Sequence, residues 1–283
     1  MKLVTIRTDA GTAAARQDDQ TYTVITPYRS ADELLREENW KDIAQAATGS
    51  AGEGTVLPIE GTSLAPLVVA PSKIICVGLN YRTHILEMGR DLPEFPTLFS
   101  KYAQTLIGAN DDIELPDEDS AIDWEAELAV IIGKSGRRIS VDNAKEHIAG
   151  YSICNDVSMR TWQFRTKEWL QGKNWEHSTP LGPFLATTDE WEPGGTIRTI
   201  VDGEVMQEAS TGDLVHGPEF LVAYISTMIT LNPGDVIITG TPGGVGHARK
   251  PQRYLTEGQV VETSIEGLGT LRNRATHTIK HGV

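Results

Sequence analysis

The residues best suited to chemistry sit in one short run, Asp123-Trp124-Glu125-Ala126-Glu127, which leads straight into the apolar residues 128–133. Residues two apart in a strand project from the same face, so Glu125 and Glu127 would set two carboxylates side by side. Two like charges at the mouth of an apolar strand repel unless a cation lies between them or one is protonated. A third carboxylate, Asp156, follows the next apolar run, 151–154. Three such groups offer only hard oxygen ligands, which suit Mg²⁺, Mn²⁺ or Ca²⁺ rather than zinc. A Glu-x-Glu pair is also common on solvated surfaces, and the chain has 39 acidic residues to supply one.

A second group lies in Val77-Gly78-Leu79-Asn80-Tyr81-Arg82-Thr83-His84-Ile85-Leu86-Glu87. His84 and Glu87, three apart, would meet on one helical face, where the carboxylate orients an imidazole base. An exposed surface pair gives the same spacing. The segment after Tyr81 also has the position of a lid that closes to exclude water. The glycine-rich turn Gly240-Thr241-Pro242-Gly243-Gly244-Val245-Gly246 ends another apolar run and would let backbone N–H groups approach an anion. It lacks the Gly-Lys-Ser/Thr of a phosphate-binding P-loop and is not a dinucleotide fingerprint. Gly172-Lys173-Asn174 places a lysine before the turn Pro180-Leu181-Gly182-Pro183.

The elements that must position these groups read as short strands. Apolar runs at 74–78, 128–133, 151–154, 197–201, 236–240 and 260–265 each end in or next to Gly, Pro, Asn or Asp, with helices expected at 142–149 and 218–231. The class is therefore α+β and β-rich, with a small N-terminal α/β module at 1–68 and a catalytic domain at 69–283. Within the module, Ser30 and Glu33 have capping-box spacing ahead of Leu34, Leu35 and Ile43, and 47–54 reads as a connector. Cys76 and Cys154 lie inside apolar runs and are expected to be buried and reduced. A formal charge of −14 over 283 residues repels nucleic acid. No run has the length of a membrane span and residues 1–20 hold no signal-like apolar core, so a cytoplasmic protein without a membrane partner is expected.

Together and in order, the 77–87 segment, the Glu-x-Glu strand, Asn155-Asp156-Val157-Ser158-Met159-Arg160-Thr161-Trp162-Gln163, the Gly-Lys before PLGP, and 240–246 resemble the fumarylacetoacetate hydrolase superfamily. The resemblance covers about residues 70–275. It implies a mixed β-sandwich roll, a homodimer, and Mg²⁺ or Mn²⁺ held by Glu125, Glu127 and Asp156. It further implies His84 and Glu87 as a catalytic dyad, Lys173 as a catalytic contact to water or substrate, and Arg160, Gln163 and Thr241 as ligands for substrate oxygens. The substrate expected from it is a small anionic 2-oxo carboxylate, whose keto group a hard cation polarises. Cleavage of a C–C bond in a 2,4-dioxo acid of the acylpyruvate or fumarylpyruvate type is the leading expectation. Oxaloacetate decarboxylation, or isomerisation of aromatic ring-cleavage diacids, is the alternative, because all three reactions share an enolate. A non-catalytic metal-binding scaffold would have lost one of these residues, and none is lost. Trp162, Phe164 and Trp169 are expected either in the core or as walls of the substrate pocket.

Overall fold

A computed structural model describes residues 1–48, 55–87, 89 and 91–277, with the side chain of Glu87 also outside the description. Residues 49–54 of the expected connector, and Met88 and Arg90 beside the catalytic segment, lie outside the described residues.

The fold is β-rich with mixed sheets. Its largest sheet has eleven strands and runs in the order Val56–Pro58, Thr21–Val24, Gly11–Asp18, Lys2–Thr8, Thr179–Thr187, Ile148–Asn155, Ala126–Ile132, Val236–Ile238, Ile74–Gly78 and Thr97–Lys101, with Leu106–Ile107 attached to Thr179–Thr187. The N-terminal strands thus extend the central sheet, through Lys2 opposite Ala186 and Leu3 opposite Leu185. A five-stranded sheet of Glu204–Ser210, Thr196–Val201, Val260–Ile265, Gly269–His277 and Ile113–Leu115, and a two-stranded one of Ile122–Asp123 with Ser158–Met159, accompany it.

The two central strands, Ala126–Ile132 and Ile148–Asn155, are buried along their whole length. Strands covered on both faces read as continuous apolar runs rather than alternating ones, as residues 128–132 do, while Ile148–Asn155 mixes apolar residues with the small Gly150 and Ser152. Val77, Leu128 and Ile237 belong to one core cluster, while Cys76, Ala129 and Ile238 belong to another. Successive residues thus feed two cores, as period-two geometry requires. Cys76 and Cys154 are both buried free thiols, as expected.

Two helices end earlier than the sequence suggests. The expected 142–149 helix is a single turn, Val141–Ala144, followed by a 3-10 turn, Lys145–His147. Ile148 instead opens a strand opposite Ile132, and the His147 carbonyl accepts from Gly133 N at 2.8 Å. The 218–231 helix stops at Met228, since Leu231 exchanges backbone hydrogen bonds with Gly136. In both cases sheet or bridge pairing outcompetes local helix propensity. At the N-terminus Ser30 caps Ala31–Leu34 as its spacing predicts, accepting from Glu33 N at 3.3 Å, while Glu33 Oε2 takes the Arg29 amide.

Gly150 measures how tightly the central strands pack. A Cβ there would lie 2.0 Å from the Ala186 carbonyl oxygen, a backbone atom held in the neighbouring strand. Gly150→Ala should therefore cost about 1–3 kcal/mol of stability through overpacking. An unchanged urea midpoint at constant m-value would contradict this packing.

Candidate functional site: a buried carboxylate cluster

The site forms where the two central strands begin and end. Glu127 lies within Ala126–Ile132, Glu125 immediately precedes it, and Asp156 immediately follows Ile148–Asn155. Because the strands are antiparallel, with Ala126 opposite Asn155, the start of one meets the end of the other. Two hydrogen bonds lock this corner: Asp156 N donates to Glu125 O at 2.9 Å, and Glu125 N donates to Asn155 Oδ1 at 3.0 Å. All three carboxylates are buried, and an oxygen from each lies within 4.8 Å of the others.

Burial of three anions is tolerable only with compensating charge. Lys173 Nζ bridges Glu125 Oε2 at 2.6 Å and Asp156 Oδ2 at 2.8 Å. Lys101 Nζ contacts Asp156 Oδ1 at 2.7 Å and also donates to the Lys173 carbonyl. Arg160 joins Glu125 Oε1 to Asp123 Oδ2, each at 2.7 Å, and donates to Gln163 Oε1 at 2.8 Å. Asp123 also accepts amides from Gly246 at 2.6 Å and His247 at 2.9 Å. Four carboxylates against three cations leave one negative charge.

The three ligand candidates differ in protonation. Burial opposes the charged form of Asp156, but Lys101 and Lys173 outweigh it and hold the carboxyl below its ordinary range. For Lys173 burial likewise disfavours the ammonium, and Asp156 with Glu125 outweighs it, so the ammonium is retained. Glu127 goes the other way: burial first, then Asp156 and Glu125, pushes its carboxyl well above the usual value. It accepts the Gly240 amide and has no lysine or arginine partner among the described residues. The cluster is thus one cation short at Glu127. An all-oxygen donor set of this kind fits a hard divalent ion, which Glu125, Glu127 and Asp156 would hold. With such an ion bound and all four carboxylates ionised, the local charge is one positive, so an anionic substrate is attracted in spite of the acidic chain.

The remaining residues expected from the sequence gather around this cluster. The turn 240–246 does approach anions closely, and they are the chain's own: Gly240 N reaches Glu127 and Gly246 N reaches Asp123. Thr241 Oγ1 accepts from Gln207 Nε2 at 2.8 Å, and Gln207 Oε1 accepts from Ala126 N at 3.0 Å, which ties the turn to the Glu-x-Glu strand. His84 lies in the helix Arg82–Glu87, whose first turn is capped by Asp213 accepting from Thr83 N at 2.9 Å. Its ring packs on the same turn, since a Cβ at Gly243 would sit 2.9 Å from His84 Nδ1. A His84–Glu87 pairing lies outside the described residues. Of the aromatics, Trp162 packs edge-on to Trp175 at 5.1 Å in a minor core. Phe164 is exposed against His247, and Trp169 lies flush on Gly78 and edge-on to Phe99.

Sequence reading missed Lys101 and Gln207, and it named Asp123 at the head of the acidic run without giving it a role. Lys101 is a charged residue closing a strand, 55 positions from Asp156. Its strand, Thr-Leu-Phe-Ser-Lys, is mixed in polarity, so no local signal marks the lysine.

A strand-rich mixed-sheet fold thus closes over a buried, all-oxygen carboxylate triad. The family model described as fumarylacetoacetate (FAA) hydrolase C-terminal matches residues 73–276, and the chain belongs to this family. It is 40% identical over 260 residues to a mitochondrial oxaloacetate tautomerase of Xenopus laevis, covering 90% of this chain and 81% of that protein. It is 42% identical over 243 residues to a mitochondrial oxaloacetate tautomerase of Homo sapiens, covering 84% and 77%. Among solved structures, a fumarylacetoacetate hydrolase from Exiguobacterium antarcticum superposes with a TM-score of 0.88 at 33% identity, over 98% of this chain and 100% of that one. A 5-carboxymethyl-2-hydroxymuconate delta-isomerase from Mycobacterium smegmatis gives 0.81 at 32%, with the same coverage. No helix of the described residues is long and apolar enough to cross a membrane. The tautomerases are named as mitochondrial, so the cytoplasmic expectation gains no support from them.

Glu127→Gln keeps the shape of the side chain while removing the one carboxylate without a basic partner. We expect Mn²⁺ affinity, read by isothermal titration calorimetry, to fall by at least about 10–100-fold, the loss usual even for groups that only support metal ligands. Affinity equal to wild type would remove Glu127 from the ligand set.

Proposed function

We propose that the protein interconverts the keto and enol forms of oxaloacetate or a closely related 2-oxo diacid, using Mg²⁺ or Mn²⁺. The observation that carries this reading is the convergence of Glu125, Glu127 and Asp156 within 4.8 Å, in a chain about 40% identical to proteins named oxaloacetate tautomerases. When bound, the divalent ion supplies Lewis-acid polarisation of a keto oxygen. Tautomerisation then asks little more of the protein: one proton leaves C3, one reaches the keto oxygen, the double bond moves from C–O to C–C, and no two heavy atoms are joined or parted. Lys173 and Arg160 supply positive charge where a carboxylate substrate would enter. His84 is the candidate proton carrier, held against Gly243 of the same glycine turn whose Gly240 amide reaches Glu127. Lid closure over this pocket would exclude water, which tautomerisation does not consume.

C–C hydrolysis of an acylpyruvate is the second reading, favoured by the 33% identity and 0.88 TM-score to a fumarylacetoacetate hydrolase. It differs in requiring an activated water molecule as well as a stabilised enolate.

The test is to follow oxaloacetate by ¹H NMR and enol absorbance with Mg²⁺ or Mn²⁺ present, alongside acylpyruvates, fumarylpyruvate and ring-cleavage diacids. Faster approach to the keto–enol equilibrium without loss of oxaloacetate supports tautomerisation. Release of CO₂ would reassign the chain as a decarboxylase, and cleavage of acylpyruvates with no effect on oxaloacetate would make it a hydrolase. In the first case, His84→Ala should lower the rate by about 10²–10⁴-fold, the usual contribution of a positioned base, with bound metal unchanged. An unchanged rate in the metal-loaded variant would take His84 out of the reaction.

A further inference from the structure

Of the three cations in the carboxylate cluster, only one touches two members of the triad. Arg160 contacts Glu125 and otherwise faces Asp123 and Gln163. Lys101 contacts Asp156 alone and is anchored on its other side by the Lys173 carbonyl. Lys173 Nζ spans Glu125 Oε2 and Asp156 Oδ2, with a fully buried side chain below the Phe99 ring, 5.3 Å from its centroid.

The oxygens divide accordingly. Glu125 Oε1 is taken by Arg160, Asp156 Oδ1 by Lys101 and Glu127 Oε2 by the Gly240 amide. Glu125 Oε2 and Asp156 Oδ2, the pair through which one ion could join two carboxylates, are both held by the same ammonium. A Mg²⁺-like ion on them would sit about 2.0–2.1 Å away. An ammonium remaining at 2.6 and 2.8 Å on the same two oxygens would then press against a doubly charged neighbour with little water between them.

We propose that Lys173 is the built-in counter-ion of the metal site: its ammonium bridges Glu125 and Asp156 until a divalent ion displaces it from those oxygens. Lys101 and Arg160 are the permanent counter-charges. Glu125 and Asp156 are thereby compensated before the metal arrives, with Glu127 left as the carboxylate without a basic partner, and metal entry frees an ammonium beside the triad for an anionic ligand. Two cations competing for the same oxygens carry a coupling free energy, so each weakens the other. The inference rests on the cation reading of the triad and not on which reaction the enzyme performs.

The experiment compares Mn²⁺ affinity of wild type and Lys173→Met, measured by competition with a fluorescent chelator on protein purified with Mn²⁺ and then stripped. Methionine keeps the length of the side chain and removes the charge. We expect Lys173→Met to bind Mn²⁺ roughly ten- to a hundredfold more tightly, within the usual span of coupling between sites. Equal or weaker binding overturns the proposal, since a lysine that merely supports the metal would lower affinity when lost. If the stripped variant does not stay folded, a Mn²⁺-loaded crystal of the wild type decides, with the ion placed by anomalous scattering. Lys173 Nζ beyond hydrogen-bond distance of Glu125 Oε2 and Asp156 Oδ2 supports displacement, and Nζ still bridging both beside the ion refutes it. Failure of wild type to bind any divalent ion would instead sink the cation reading itself.

Discussion

Everything in this structure turns on the need to compensate buried negative charge. Asp123 and Asp156 have no exposed side-chain surface, and Glu127 is nearly as deep. Carboxylates taken out of water lose hydration free energy that only close cations, aligned N–H groups or protonation can replace. All three devices are present. Lys101, Lys173 and Arg160 neutralise, the amides of Gly240, Gly246 and His247 donate, and Glu127 is pushed toward its neutral form.

The fold supplies these devices from widely separated parts of the chain. Strand ends bring Glu125, Glu127 and Asp156 to one corner of the central sheet. Val236–Ile238, paired with Ala126–Ile132, delivers the glycine turn to the same corner, and Ile74–Gly78, next in line, delivers the His84 helix. Asn80 ties the last two together, donating to the carbonyls of Thr239 and His216 and accepting from His216 N. The glycines are sterically required where this happens. Gly240 has φ +99°, and a Cβ on it would lie 2.9 Å from both Asn80 Cβ and the Val77 carbonyl oxygen. The placement of these candidate residues is thus a property of the sheet's order rather than of any single loop.

That order explains what the sequence could and could not disclose. The triad was legible because its signal is local: period-two spacing for Glu125 and Glu127, and an acidic residue closing the next buried run for Asp156. The central strands were legible because doubly covered strands carry apolar runs. The roles of Lys101, Asp123 and Gln207 were not, because each draws its meaning from partners far away: Asp156, then Arg160 and Gly246, then Ala126 and Thr241. The roles of Arg160, Gln163 and Lys173 entered through family resemblance, and nothing in their spacing announces that Arg160 and Lys173 meet on Glu125 while Gln163 accepts from Arg160. The short 141–147 turn was misread as a longer helix because Ile148, which ends it, pairs with Ile132, a residue outside any local window.

The claim that buried charge in this cluster is completed by a divalent ion is tested most directly by thermal unfolding of metal-stripped wild type over increasing Mn²⁺. A ligand that binds only the folded chain stabilises it in proportion to the logarithm of its concentration above Kd, about 2.7 kcal/mol at a hundred times Kd. The account predicts a rising Tm with one ion per chain. A Tm indifferent to Mn²⁺ and Mg²⁺ up to millimolar concentrations would contradict it.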